Sequence, residues 1–110
     1  MTFDEYQKLA LTTAIVHPDP AMDKSILAMG LAGEAGEVVD KWKKIVAYHD
    51  GVVTPEDLVD FTKEMGDTLW YIALFAERLG LSFDTIAKTN LHKLADRKQR
   101  DVIRGAGDNR

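Results

Sequence analysis

Two acidic spacings in this chain could do chemistry. Glu34 and Glu37 stand in GLAGEAGEVVDKW, and Glu64 and Asp67 stand in KEMGDTLWY. Each is acid-x-x-acid within a segment patterned as a helix. Residues i and i+3 share a helix face with Cβ atoms ~5–6 Å apart, so two like charges there weaken the helix. Two helices carrying the same liability point to a shared purpose. Facing each other, the pairs would gather four carboxylates around one small volume. That donor set suits hard cations with oxygen ligands, Mg²⁺, Mn²⁺ or Ca²⁺, rather than zinc or copper. A single such pair on a solvated helix face needs no ligand. Here Leu27, Leu31, Val38 and Ile45 fall within about 60° of Glu34 by helical geometry, and a charge in an apolar stripe is costly unless paired or metal-bound. Gly30, Gly33, Gly36 and Gly66 flank the acids. Mid-helix glycine costs ~1 kcal/mol against alanine, so a neighbouring helix or a ligand is expected to approach those backbones.

A basic face accompanies the acids. Asn90, Lys93 and Arg97 recur at helical spacing and form a phosphate-contacting candidate, Arg through its fork geometry. The bland alternative is a solvated basic stretch near a helix C-terminus, which the helix dipole favours. Other chemistries find no support. No histidine follows an acid by three residues, as a di-iron bundle requires. No serine or cysteine nucleophile arrangement, phosphate loop or dinucleotide fingerprint is present. Metal-assisted attack of water on a phosphate is the natural chemistry of such a donor set.

The elements that must position these residues read as four helices. The first opens on Thr2 with Glu5 in capping-box spacing and runs to Val16, before His17-Pro18-Asp19-Pro20. The second is expected from Asp23 as N-cap to about Tyr48, ~38 Å of helix. Asp50-Gly51 marks a turn. Thr54-Pro55-Glu56-Asp57 opens the third helix, which ends at Gly80, and Ser82 opens the fourth, which runs to about Arg100. The third carries a core stripe of Leu58, Phe61, Met65, Leu69, Ile72, Ala76 and Leu79. Trp70, Tyr71 and Leu74 lie off it, so Leu69 to Ala76 is apolar nearly all round. A helix apolar all round is buried all round, and Leu74 is expected at a subunit contact. The fold class is therefore all-α: a four-helix bundle-like subunit with long central helices, completed by homo-oligomerisation.

The 110 residues make one expected domain, 1–110. A net charge of −4 and no cysteine argue against a polymeric nucleic-acid surface, disulfides and thiolate zinc. The polar N-terminus is unlike a signal peptide, and no apolar run approaches a membrane span. A cytoplasmic protein is the expectation.

The runs GLAGEAGEVVDKWKK, KEMGDTLWYIALFAERLG and NLHKLADRKQR, with a terminal GAGDNR, resemble the MazG-like nucleotide pyrophosphohydrolases of the all-α NTP pyrophosphatase group. The resemblance spans about Ser25 to Arg110. It implies Mg²⁺-dependent hydrolysis of nucleoside triphosphates to monophosphate and pyrophosphate, with Mn²⁺ as a substitute cation. It implies Glu34, Glu37, Glu64 and Asp67 as metal ligands and Asn90, Lys93 and Arg97 as contacts to metal-bound phosphates. Glu37 is the candidate to orient or deprotonate the attacking water. It further implies a homodimer or homotetramer with sites between helices of different subunits. Two other classes stay open: a module of the same fold that binds nucleotide without turnover, and a helical interaction protein whose acids are incidental.

Overall fold

The computed structural model describes all 110 residues. It is all-helical: α1 spans Phe3–Leu11, α2 Pro20–His49, α3 Pro55–Arg78 and α4 Phe83–Gln99. Local chemistry sets most of the boundaries. Thr2 and Thr54 each cap their helix in a reciprocal box with the residue three on, Glu5 and Asp57. The Ser82 hydroxyl accepts the Thr85 N–H at the start of α4. Gly80, at φ 70°, takes the left-handed position that ends α3.

Two boundaries differ from expectation. α1 stops at Leu11 because Thr12 and Thr13 turn their hydroxyls back onto the carbonyls of Leu9 and Ala10, at 2.6 and 3.0 Å. Such bonds compete with helix continuation. α2 begins at Pro20, capped by Asp19, whose carboxylate accepts the N–H groups of Ala21 and Met22. Proline at the first helical position gives up only an N–H that would be orphaned anyway. Asp23 is consequently no cap. It is buried, accepts the His17 N–H at 2.9 Å, and pairs with Arg78 Nε at 2.6 Å. These bonds, His17 first and Arg78 second, hold its carboxyl below the usual aspartate range.

α2 packs along α3, while α1 bridges α3 and α4. Gln7 joins the last three elements named. Its amide N–H groups donate to the carbonyls of Ala73 and Leu81, and its oxygen accepts the Phe83 N–H. Phe3 stacks on Phe83 at 4.7 Å between ring centroids. The core is Ala10, Leu27, Ala73, Leu74 and Phe83. Leu74 is fully buried within the subunit. This corrects its expected place at a subunit contact: the apolar belt of α3 is the seam on which α1 docks from one side and α2 from another. The open apolar surface lies at the other end of α3, where Leu58 and Met65 of the expected core stripe are more than half exposed.

Only ten of the 110 residues are buried, and the radius of gyration is 16.9 Å. A compact chain of this length has ~13 Å. Much apolar surface is thus left uncovered by the chain itself. Val38, Val39, Trp42, Leu58, Phe61 and Met65 line an open groove of about 590 Å³ between α2 and the first half of α3.

Candidate metal centre and its surroundings

The packing of α2 on α3 gathers three of the four acids. Glu34, Glu64 and Asp67 each offer a carboxylate oxygen, and these oxygens lie within 4.8 Å of one another. Glu34 and Glu64 are half-buried, and Asp67 is exposed. Glu37 stands one turn along from Glu34, on the exposed side, and its carboxylate is not part of the trio. Burial first, and then the negative charges of Asp67, Glu37 and Glu64, push the Glu34 carboxyl above the usual glutamate range. None of the four is ion-paired. Lys41 stands one turn beyond Glu37 on α2. It is spent on Asp60 at 3.0 Å and Asp57 at 3.6 Å.

These residues fit a divalent cation. Oxygens on opposite sides of a Mg²⁺ lie ~4.2 Å apart, from ~2.1 Å per bond. The trio is thus spaced to close on an ion by small side-chain rotations. Three converging carboxylates without a cation partner, one of them with its ionised form disfavoured, are the arrangement that a cation relieves.

One glycine of the four explains how α2 reaches α3 here. A Cβ on Gly30 would lie 2.5 Å from Cζ and 2.6 Å from Cδ1 of Tyr71. The Tyr71 ring therefore rests on the Gly30 backbone, one turn before Glu34. Gly33, Gly36 and Gly66 meet nothing within 4 Å, so the chain's own helices do not account for them. Beside the trio, Thr13, Glu34, Asp67, Trp70 and Tyr71 line a hollow of about 470 Å³. Trp70 Nε1–H donates to Thr13 Oγ1 at 2.9 Å, which ties the end of α1 to that wall. Sequence reading passed over Thr13, because 57 residues separate it from Trp70.

The basic face is a separate place. α4 makes no contact with α2, and Asn90 and Lys93 line a second hollow with Leu81, Thr85, Ile86 and Thr89. Within one chain Lys93 and Arg97 pair with Asp108 and with none of the four acids. Arg97 is buried on this face. It is 4% exposed, and its Nη2 donates to the backbone oxygen and to Oδ1 of Asp108, both at 2.9 Å. Lys93 Nζ donates to the same Oδ1 at 3.0 Å. Asp108 was not singled out in the sequence, where GAGDNR shows no periodicity that would aim it at α4.

With this geometry in view, comparison with known proteins is direct. Residues 23–101 match the family described as the MazG nucleotide pyrophosphohydrolase domain, and the chain belongs to that family. All four acids and the whole basic face fall within the match, whereas Thr13 and Asp108 fall outside it. A relative, the Gene 37 protein of Mycobacterium phage L5, is 45% identical over 115 aligned residues that cover all of both chains. Its name states no activity. No solved structure matches the chain significantly. Membership supports nucleotide pyrophosphohydrolase activity in general for this all-α fold. No helix is long and apolar enough to cross a membrane.

Proposed function

We propose that the protein is a Mg²⁺-dependent nucleoside triphosphate pyrophosphohydrolase of the cytoplasm, with Mn²⁺ able to replace Mg²⁺. The observation that carries this reading is the trio of Glu34, Glu64 and Asp67, converging from two helices without a cation partner. These three would hold the ion. When bound, a divalent cation neutralises charge on phosphate oxygens and polarises them. Glu37, exposed beside the trio, takes the proton of the attacking water. The water oxygen bonds to the α-phosphorus, the α–β bridging oxygen departs with pyrophosphate, and monophosphate remains. Asn90, Lys93 and Arg97 contact the outer phosphates, and cations there favour pyrophosphate as the leaving group.

Because α4 does not reach α2 in one chain, the complete site is read as lying between subunits of a homodimer or homotetramer. The apolar groove of Val38, Trp42, Phe61 and Met65 adjoins Glu37 and Glu64 in sequence, so a second copy seated there would come up against the acids.

Pyrophosphate release screened over ribo- and deoxynucleoside triphosphates with Mg²⁺ or Mn²⁺ tests the reading. Turnover is expected, lost in Glu64→Gln together with metal-dependent stabilisation. Glu37→Gln is expected to lose turnover and keep that stabilisation. Nucleotide binding without pyrophosphate would instead indicate a non-catalytic module. No response to metal at all would indicate a helical interaction protein.

A further inference from the structure

Beyond α4 the chain turns back on itself and is held by polar contacts. Arg110 Nε donates to Val102 O at 3.1 Å and its Nη2 to Ile103 O at 3.2 Å, while Arg100 Nη2 donates to the Arg110 carbonyl at 2.8 Å. Gly107, at φ 78°, supplies the turn. A Cβ on Gly105 would lie 3.0 Å from Arg110 Nε and 3.3 Å from Val102 O, so the turn closes tightly there. The turn sets Asp108 over α4, its carboxylate bridging Lys93 and Arg97 through Oδ1. The Asp108 side chain is itself 77% exposed. It is gripped on one side and open to water on the other.

We propose that Asp108 holds the place of a substrate phosphate: in the free protein its carboxylate closes the Lys93–Arg97 pair, and a polyphosphate binds there by displacing it. This rests on the reading of Lys93 and Arg97 as phosphate contacts. Carboxylate and phosphate oxygens are the same kind of acceptor for ammonium and guanidinium groups. Arg97 is covered while Asp108 is in place, so a ligand reaches its guanidinium only when the segment lifts. The lift uncovers little apolar surface. Residues 103–109 are exposed, and their hold is polar, a set of hydrogen bonds of which those of Lys93 and Arg100 face solvent, so the segment is less firmly fixed than a packed helix. Lys93 first, and Arg97 second, keep the Asp108 carboxyl below the usual aspartate range, so it remains an anionic competitor wherever the nucleotide is charged. Apparent affinity falls by the fraction of molecules in which the segment is down. The return of Asp108 would also help to expel pyrophosphate after cleavage.

Calorimetric titration with inorganic pyrophosphate, metal removed by chelator, tests this on the full chain. Four proteins are needed: unaltered, Asp108→Asn, Lys93→Ala and the double variant, each checked for unchanged helicity. Asp108→Asn keeps the side-chain shape and removes the competing charge, and is expected to bind about tenfold tighter, on the scale of the ion pairs it releases. Pyrophosphate is also expected to speed tryptic cleavage after Arg104 in the unaltered protein, because the segment lifts. Equal or weaker binding by Asp108→Asn, with Lys93→Ala still weakening it, overturns the displacement and leaves the phosphate reading standing. Binding that ignores Lys93→Ala in both backgrounds removes the phosphate reading and the displacement together.

Discussion

Gly30→Ala is the substitution that most sharply tests how α2 is seated on α3. Alanine in place of a mid-helix glycine should stabilise α2 by ~1 kcal/mol. The new methyl would, however, lie 2.5 Å from Cζ and 2.6 Å from Cδ1 of Tyr71. Carbon atoms pack at ~3.5–4.0 Å, so ring and backbone must separate by ~1 Å or more. Overpacking of that kind costs ~1–3 kcal/mol. Swinging Tyr71 aside also breaks its edge-on contact with Trp70, at 5.0 Å between centroids, which is worth ~0.5–1.5 kcal/mol. Cost exceeds gain, and the expected net effect is a loss of ~1–2 kcal/mol. Tyr71 also lines the hollow beside Glu34 and Asp67, so the same change should loosen the trio and blunt stabilisation by Mg²⁺. Gly33→Ala, Gly36→Ala and Gly66→Ala are the controls. Nothing lies within 4 Å of their added Cβ atoms, and each should stabilise the isolated subunit by ~1 kcal/mol. Urea midpoints for the four variants, with the Mg²⁺-dependent shift in melting temperature beside them, decide the matter. Gly30→Ala at or above the stability of the unaltered protein would refute the packing argument.

Three further outcomes follow from named contacts. Leu74→Ala should cost ~2–5 kcal/mol in urea unfolding, as a large-to-small change at a fully buried position; a change in oligomer size at unaltered subunit stability would contradict its place in the core. A charge in the open groove, as Trp42→Glu or Met65→Asp, should reduce particle size in light scattering and leave helicity intact; an unaltered protein that already scatters as a 12.3 kDa monomer would end the homo-oligomer proposal. Glu34 carries a raised pKa in the folded chain, so its charged form opposes folding. With metal removed, the unaltered protein should gain stability relative to Glu34→Gln as pH falls from neutral through that raised pKa toward the ordinary value of 4.5, and lose it again as pH rises. A gap independent of pH would mean that neither burial nor the neighbouring carboxylates disfavour the Glu34 charge.

Sequence made the site's chemistry legible wherever it is local. The capping residues Thr2, Thr54 and Ser82 act within one turn, and the structure has them where their sequence context puts them. The acid pairs were legible because i and i+3 must share a face. Which three of the four carboxylates converge was not, because that depends on how α2 and α3 are rotated about their axes, and Glu37 lies just outside the contact. Leu74 was misplaced for a related reason. Its stripe looks secondary on α3 alone and becomes central once α1 and α2 cover it. Asp19 caps α2 in place of the expected Asp23 because Pro20 stands at the first helical position, where a helix tolerates proline. The Arg97–Asp108 contact depends on a turn set by glycines in an aperiodic tail, where no face can be assigned from spacing.

In the proposed reaction, carboxylates from α2 and α3 bind a divalent cation for attack at the α-phosphorus of a nucleoside triphosphate. Phosphorus NMR of the products formed in heavy-oxygen water, with Mg²⁺ present, tests it most directly. Monophosphate and pyrophosphate are expected as first products, with no diphosphate intermediate, the heavy oxygen in the monophosphate alone, and no reaction by Glu64→Gln. Heavy oxygen in pyrophosphate, accumulation of diphosphate, or undiminished turnover by Glu64→Gln would contradict it.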